Sequence, residues 1–522
     1  MPATSISRKL AVTAALGLLL VPGCHAAEQA LPFAEAVRIP LDAWPAVQVG
    51  TRSVATDTGT VTYRYPILGP DHPLTTEIHT SMAERQTAFL EDLPANGTPE
   101  LLQDATVLAA SPHVVGVRIT ETVRAGVNET FHARTLWYDT RDDTVLPWTS
   151  LFRDEAAIER AHLAVADVLE DGYDMPTEQL PGLVGEVALR AARQQEAPGS
   201  EPGEAGAGSP PPPTASARDT AEDTGPLDLT DPEQALRAAE LWEGSPLADL
   251  AFSTAGGLAV RMEPGEVPAA GRVSEVLLPV QPEDAEDLLS ELGYQAREAA
   301  LSGEPDFPLD GELSAEGDSL DCSRLKCVAL TFDDGPGQDT ERLLDMLAEY
   351  DARATFYVLG SLVDEFPGIV ERTHAEGHEM GNHSWKHDDL AGKSEAGVAD
   401  DITRTNEAVR AITGSDPLTI RPPYGSLNGT VRKAVDQPLI LWDVDTMDWQ
   451  SRDTAKVAEH ALTHTEAGSV VLFHDIHPST VDAVPKVLEG LHRQGYHFVT
   501  VTDLFGLEAL APGDVFTDAR VG

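Results

Sequence analysis

From Lys326 onward the chain alternates short β-rich runs with amphipathic stretches, and this alternation constrains the fold more than any other feature. The runs cover residues 327–332, 354–359, 379–382, 419–421, 439–443, 469–474 and 497–501, with helical patterns such as 340–349 and 398–413 between them. A strand that returns through a helix lies parallel to its predecessor, so the repeat predicts an α/β fold, either a barrel or a doubly wound sheet. Residues able to do chemistry fall at the ends of several runs. That placement favours a barrel with its site at the carboxyl ends of the strands.

The first of these ends is Thr331-Phe332-Asp333-Asp334-Gly335-Pro336. Adjacent carboxylates at a strand end point in different directions, so one can hold a metal while its neighbour stays free as a base. An acidic turn closed by Gly and Pro would account for this segment taken alone. In His383-Ser384-Trp385-Lys386-His387 two histidines stand four apart, a spacing that brings both to one face of a helical turn or tight loop. Sixteen histidines make chance pairs common. Joined to Asp334, however, the pair completes an Asp-His-His set that leaves positions open for water and substrate, the catalytic rather than the structural arrangement. Three more clusters follow. Arg421-Pro422-Pro423-Tyr424-Gly425 offers a cation and a backbone N–H for an oxyanion, Asp445-Thr446-Met447-Asp448-Trp449 offers carboxylates and an indole, and Leu472-Phe473-His474-Asp475 ends a buried run with a histidine placed to act as an acid.

With these five segments in this order, the stretch from about Lys326 to Phe505 resembles the polysaccharide deacetylases, a carbohydrate-esterase family that includes peptidoglycan and chitin deacetylases. The resemblance implies a distorted (β/α) barrel of about seven strands. It implies Asp333 as catalytic base and Asp334, His383 and His387 as ligands of a divalent metal, zinc before cobalt, manganese or nickel. Arg421 and Asp445 would tune the base and the acid, Tyr424 would supply the oxyanion N–H, and His474 would be the general acid. Trp449, Leu472 and Pro423 would contact the substrate. In this reading the metal polarises the acetyl carbonyl, Asp333 takes a proton from the attacking water, and His474 protonates the leaving amine. The expected substrate is an extracellular amino-sugar polymer, peptidoglycan first. Chitin oligomers and O-acetylated xylan are the alternatives, and an inert wall-binding lipoprotein is the reading from another class.

The region ahead of this stretch carries no concentrated chemistry; His113 and His132 are isolated. Alternation at 61–65 and 115–119 and the aromatic run 136–138 predict antiparallel strands, while 154–169 and 232–242 look helical. The order of elements resembles the α+β envelope domain of some anti-sigma-factor lipoproteins, and we expect a smaller α+β domain over 45–295. Residues 196–225 are rich in Pro, Gly, Ala and Ser and read as a disordered insert, 296–325 as a linker, and 326–510 as the deacetylase domain.

Arg8 and Lys9 followed by the apolar run 10–20 read as a signal peptide over 1–24, so the protein is expected to be exported. Val21-Pro22-Gly23-Cys24 resembles a bacterial lipobox, which predicts lipidation at Cys24; cleavage near Ala26 without lipid is the alternative. A lipid anchor would be the one membrane attachment. In an exported chain Cys322 and Cys327, close in sequence, are expected to form a disulfide. Asp and Glu number 86 against 36 Lys and Arg, a net charge of −50, which argues against a nucleic-acid partner because phosphate binding needs clustered cations.

Overall fold

The computed structural model describes residues 31–520 apart from 40–43, 45–46, 57, 70–71, 94–97, 197–225, 264, 269–275, 304 and 310–319. The signal segment, Cys24 and nearly all of the 196–225 insert therefore lie outside the described residues.

Six strands build the N-terminal sheet: β1 (Gln48–Thr56), β2 (Gly59–Ile67), β3 (Glu100–Ala110), β4 (Val114–Ala125), β5 (Asn128–Asp139) and β6 (Thr144–Pro147), in that spatial order. The sheet is antiparallel except between β2 and β3, which run parallel because the helix Pro73–Glu91 crosses between them. Alternation decides which face is covered: Val61, Tyr63 and Tyr65 are buried against Leu74, Ile78 and Met82 of that helix. At Gly116 of β4 a Cβ would stand 2.2 Å from the Trp137 ring, so the buried indole on β5 requires glycine opposite it.

A second sheet, β7 (Leu250–Phe252), β8 (Leu258–Met262) and β9 (Val276–Val280), packs with the helices Glu155–Tyr173 and Glu291–Ser302 around a separate core. The expected α+β character is present, with the strands and helices anticipated from 61–65, 115–119, 136–138, 154–169 and 232–242. Its extent differs. Ile39 already bridges Val107 and is fully buried, and the stretch read as a linker opens inside the helix Glu291–Ser302, whose Ala296, Ala299 and Ala300 are core residues. Phe307 and Leu309 pack on the six-stranded sheet. This α+β part is thus larger than the C-terminal part, not smaller; the acidic residues around 301–321 hide apolar anchors that composition averages away.

The C-terminal strands are β10 (Cys327–Asp333), β11 (Thr355–Val358), β12 (Glu379–Asn382), β13 (Leu439–Ile440), β14 (Val444–Asp445), β15 (Val470–His474), β16 (His497–Phe498) and β17 (Val515–Phe516). The order β12-β11-β10-β15-β14 is parallel throughout, and β16 pairs with the start of β10. Every residue of β10 is buried, as a central parallel strand covered on both faces must be. Phe332 stacks between Phe356 and Phe473 at 5.3 and 5.4 Å.

All seven anticipated runs appear, yet among the described residues they form no closed barrel. The 419–421 run contributes only bridges, Ile420 to Asn382 and to Leu439. Pro422 and Pro423 follow directly and lack the N–H groups that would extend a ladder. The end of this unit also runs past 510, because β17 pairs with β13.

Cys322 and Cys327 form a disulfide, with Cα atoms 5.5 Å apart, at the entry to β10. The helix Pro73–Glu91 docks on this same end: Glu77 and Glu84 hold Arg324, Glu91 holds Lys326, and Thr87 meets His497. The N-terminal part therefore covers the amino end of β10, opposite the end that carries Asp333. No helix among the described residues is long and apolar enough to cross a membrane.

Candidate metal centre and active site

Parallel strands deliver their carboxyl ends to one side, and that side collects Asp333, His383, Arg421, Asp445 and His474. The loops that follow are sharply turned. Asp334, Ser384, His387, Tyr424, Met447 and Arg452 all have positive φ, a strained conformation for non-glycine residues that gathers at functional sites.

Asp334, with φ of 72°, turns its carboxylate toward two imidazoles, one of which, His383, also has Nε2 3.6 Å from Asp333 Oδ2. Asp334 Oδ1 lies 3.6 Å from His383 Nε2 and 3.4 Å from His387 Nε2. His383 Nδ1–H donates to the Arg421 carbonyl at 2.6 Å, which leaves the Nε2 lone pair facing Asp334. Burial pushes the His383 pKa down to about 3, so the ring is neutral and competent as a ligand. Asp334 Oδ1 is buried without a hydrogen-bond partner, and one donor atom from each of the three residues lies within 4.8 Å of the others. A carboxylate and two neutral imidazoles, with an orphaned oxygen between them, fit a divalent cation with open coordination positions.

Backbone contacts lock the two loops together. The residues leaving β11 donate in sequence, Leu359 N to Gly335 O at 3.0 Å, Gly360 N to Ser384 O at 3.1 Å and Ser361 N to Trp385 O at 3.0 Å. Ser384 Oγ then accepts His387 N, and Asp401 accepts Trp385 N. Gly360 was not singled out in the sequence, yet a Cβ there would meet Trp385 Cε3 at 2.4 Å.

Arg421 is fully buried and donates to Asp333 Oδ1 at 2.9 Å, to Thr331 Oγ1 at 2.6 Å and to the carbonyls of Ile440 and Leu441. Its guanidinium lies 4.1 Å over the Tyr357 ring. Burial raises the Asp333 pKa even though Arg421 and His474 pull it down.

On the other side Asp448 grips His474. Its Oδ1 meets His474 Nδ1 at 2.8 Å, and its Oδ2 accepts His474 N at 2.7 Å and the Thr480 hydroxyl at 2.8 Å. Burial works against an imidazolium at His474, but Asp448, aided by Asp333 and Asp334, outweighs it and raises the pKa to about 9. The ring is therefore protonated at neutral pH, with Nε2 as its free nitrogen.

This corrects one assignment. Asp445 and Arg421 were expected to act together on the base and the acid; Asp445 instead accepts Met447 N at 2.9 Å and shapes the turn. Met447, in the left-handed region, redirects the chain so that Asp448 opens the short helix Asp448–Ser451 and reaches β15. The signal was available in Asp445-Thr446-Met447-Asp448-Trp449, where the second carboxylate adjoins the indole.

Tyr424 has φ of 63°, and no described group accepts its N–H. The residue is 70% exposed, and its ring stands edge-on to His387 at 4.4 Å between centroids. Trp449 is partly exposed, whereas Pro423 and Leu472 are buried. His113 and His132 belong to the N-terminal sheet region, apart from this cluster.

A buried carboxylate and an imidazole gripped by its own acid stand beside the candidate cation site, an arrangement able to support hydrolysis. The family model described as polysaccharide deacetylase matches residues 321–438. The peptidoglycan-N-acetylglucosamine deacetylase PgdA of Listeria monocytogenes is 43% identical over 200 residues, 38% of this chain and 43% of that protein. The peptidoglycan-N-acetylmuramic acid deacetylase PdaC of Bacillus subtilis is 39% identical over 180 residues, 34% of this chain and 38% of that protein. A peptidoglycan-N-acetylglucosamine deacetylase of Bacillus cereus is 39% identical over 186 residues, 33% of this chain and 68% of that protein. The chain belongs to the polysaccharide deacetylase family. It spans about two fifths of the length of the Listeria and B. subtilis relatives.

Proposed function

We propose that this protein is a divalent-metal-dependent N-deacetylase of the cell envelope that releases acetate from the N-acetylglucosamine units of peptidoglycan. The observation that carries the chemistry is the placement of two separately tuned groups, Asp333 on Arg421 and His474 on Asp448, beside Asp334, His383 and His387. Asp334, His383 and His387 would hold the cation, which supplies Lewis-acid polarisation of the acetyl carbonyl when bound. Zinc is the preferred ion on the nitrogen and oxygen donor set.

The remaining steps belong to the chain's own residues. Asp333, held by the Arg421 guanidinium that opposes the effect of burial on it, takes a proton from the attacking water. The Tyr424 N–H faces the negative charge that develops on the carbonyl oxygen. His474 gives its Nε2 proton to the departing nitrogen, so one water and one acetamide become acetate and a free amine. Pro423, Trp449 and Leu472 would wall the acetyl group and the sugar.

Peptidoglycan is favoured over chitin oligomers or acetylated xylan because the relatives just described are named for it, and because a signal segment with Cys24 would export and tether the enzyme near the wall. In this reading the α+β part, from about Ile39 to Leu309, is the envelope module, and the part from Cys322 through β17 is the catalytic one. The test is acetate release by purified protein from peptidoglycan, chitin oligomers and acetylated xylan in parallel. Fastest release from peptidoglycan supports the proposal. Release from chitin oligomers or xylan alone would overturn the substrate while keeping the chemistry.

A further inference from the structure

One buried acid beside the site has no part in the chemistry above. Asp475 follows His474 and is fully buried. Its Oδ2 accepts the Thr340 hydroxyl, and Thr340 Oγ1 in turn accepts Gly337 N–H at 2.8 Å. Thr340 is also fully buried. Asp475 Oδ1 has no hydrogen-bond partner. Both carboxylate oxygens stand 2.5 Å from the place a Cβ would take on Gly335, so the group lies directly against the turn and only glycine fits there.

Burying an acid with an unpaired oxygen is costly, and an apolar side chain of similar shape would avoid that cost. Its neighbours indicate what it does. The turn it touches begins at Asp334, whose left-handed backbone persists only if its surroundings over-determine it. On the opposite side the same turn is held by Leu359 N–H on Gly335 O. Asp475 and Thr340 supply the other half of the clamp.

We propose that Asp475 is a positioning residue for the metal centre, acting through Thr340 and the Gly335–Gly337 turn to fix the direction of Asp334. This rests on the reading that Asp334, His383 and His387 hold a divalent cation. Outer partners of metal ligands typically account for about 10–100-fold in metal affinity.

The test is zinc titration of the metal-stripped full chain against a chromophoric chelator, with thermal melting of the metal-free protein and kcat and KM measured alongside. Asp475→Ala and Thr340→Val should each weaken zinc binding by about 10–100-fold. Both should lower kcat with little change in KM, and Thr340→Ser should restore both properties. Thr340→Val is close to isosteric and decides the matter alone if Asp475→Ala does not fold. Variants that melt like the wild type and bind zinc as tightly would overturn the brace while leaving the metal centre standing. A folded wild type that binds no divalent cation would overturn both.

Discussion

Asp333 and His474 are register partners on adjacent parallel strands, β10 and β15, each the last residue of its strand. Neighbouring strands lie about 4.8 Å apart, so the pairing brings a carboxylate and an imidazole to either side of one small space. Each is bound to a different buried partner, Arg421 for the carboxylate and Asp448 for the imidazole. The fold thereby separates a base from an acid that would otherwise neutralise each other.

Asp448→Asn should lower kcat by about 10–100-fold, less than the roughly 10²–10⁴-fold a positioned acid contributes, because the His474 ring itself remains. Asp445→Asn, which removes only an acceptor for Met447 N, should cost far less. Equal losses in the two variants would restore Asp445 to the role expected from sequence.

The pH dependence follows from His474. Its pKa in the folded protein is about 9, above the ordinary histidine value of about 6.5. The interaction with Asp448 therefore stabilises the fold fully below about 6.5 and is lost as pH rises through about 9. Activity should fall over the same alkaline limb as the acid loses its proton. In Asp448→Asn that limb should move to lower pH, measured as log kcat against pH. An unmoved limb would remove His474 as its source.

The two adjacent carboxylates should separate cleanly. Asp333→Asn should keep metal binding and lose about two to four orders of magnitude in kcat, while Asp334→Asn should weaken metal binding. Metal content by atomic absorption beside steady-state kinetics distinguishes them, and matching metal contents would merge the roles.

Gly360→Ala tests the link between the two loops of the centre. The added methyl would meet Trp385 Cε3 at 2.4 Å and Thr405 Oγ1 at 2.7 Å. Overpacking of this kind costs about 1–3 kcal/mol, and the shift should also displace the His383–His387 loop. A lowered melting temperature with weakened zinc binding is expected; wild-type values for both would show that the loop yields freely.

Much of this site was legible from residue order alone, because parallel strands carry their chemistry at their ends and each end bore its own segment. Asp334, His383 and His387 converge as their spacing suggested. What was hidden depends on backbone direction. The left-handed turn at Met447 decides that Asp448 rather than Asp445 meets His474, and φ is not written in a run of polar residues. Gly360 and Asp475 were equally obscure, since each matters for what it touches across the fold. The N-terminal extent was obscured for a related reason: Phe307 and Leu309 are apolar anchors in an acidic stretch whose average composition looks solvated.

The most direct test is mass spectrometry of muropeptides after incubation of peptidoglycan with the purified protein, stripped of metal and then reloaded with zinc. The account predicts unchanged masses with stripped protein and, after reloading, loss of single acetyl groups from N-acetylglucosamine with an equal release of acetate. Folded, zinc-loaded protein that leaves every muropeptide unaltered, or stripped protein that is fully active, would contradict it.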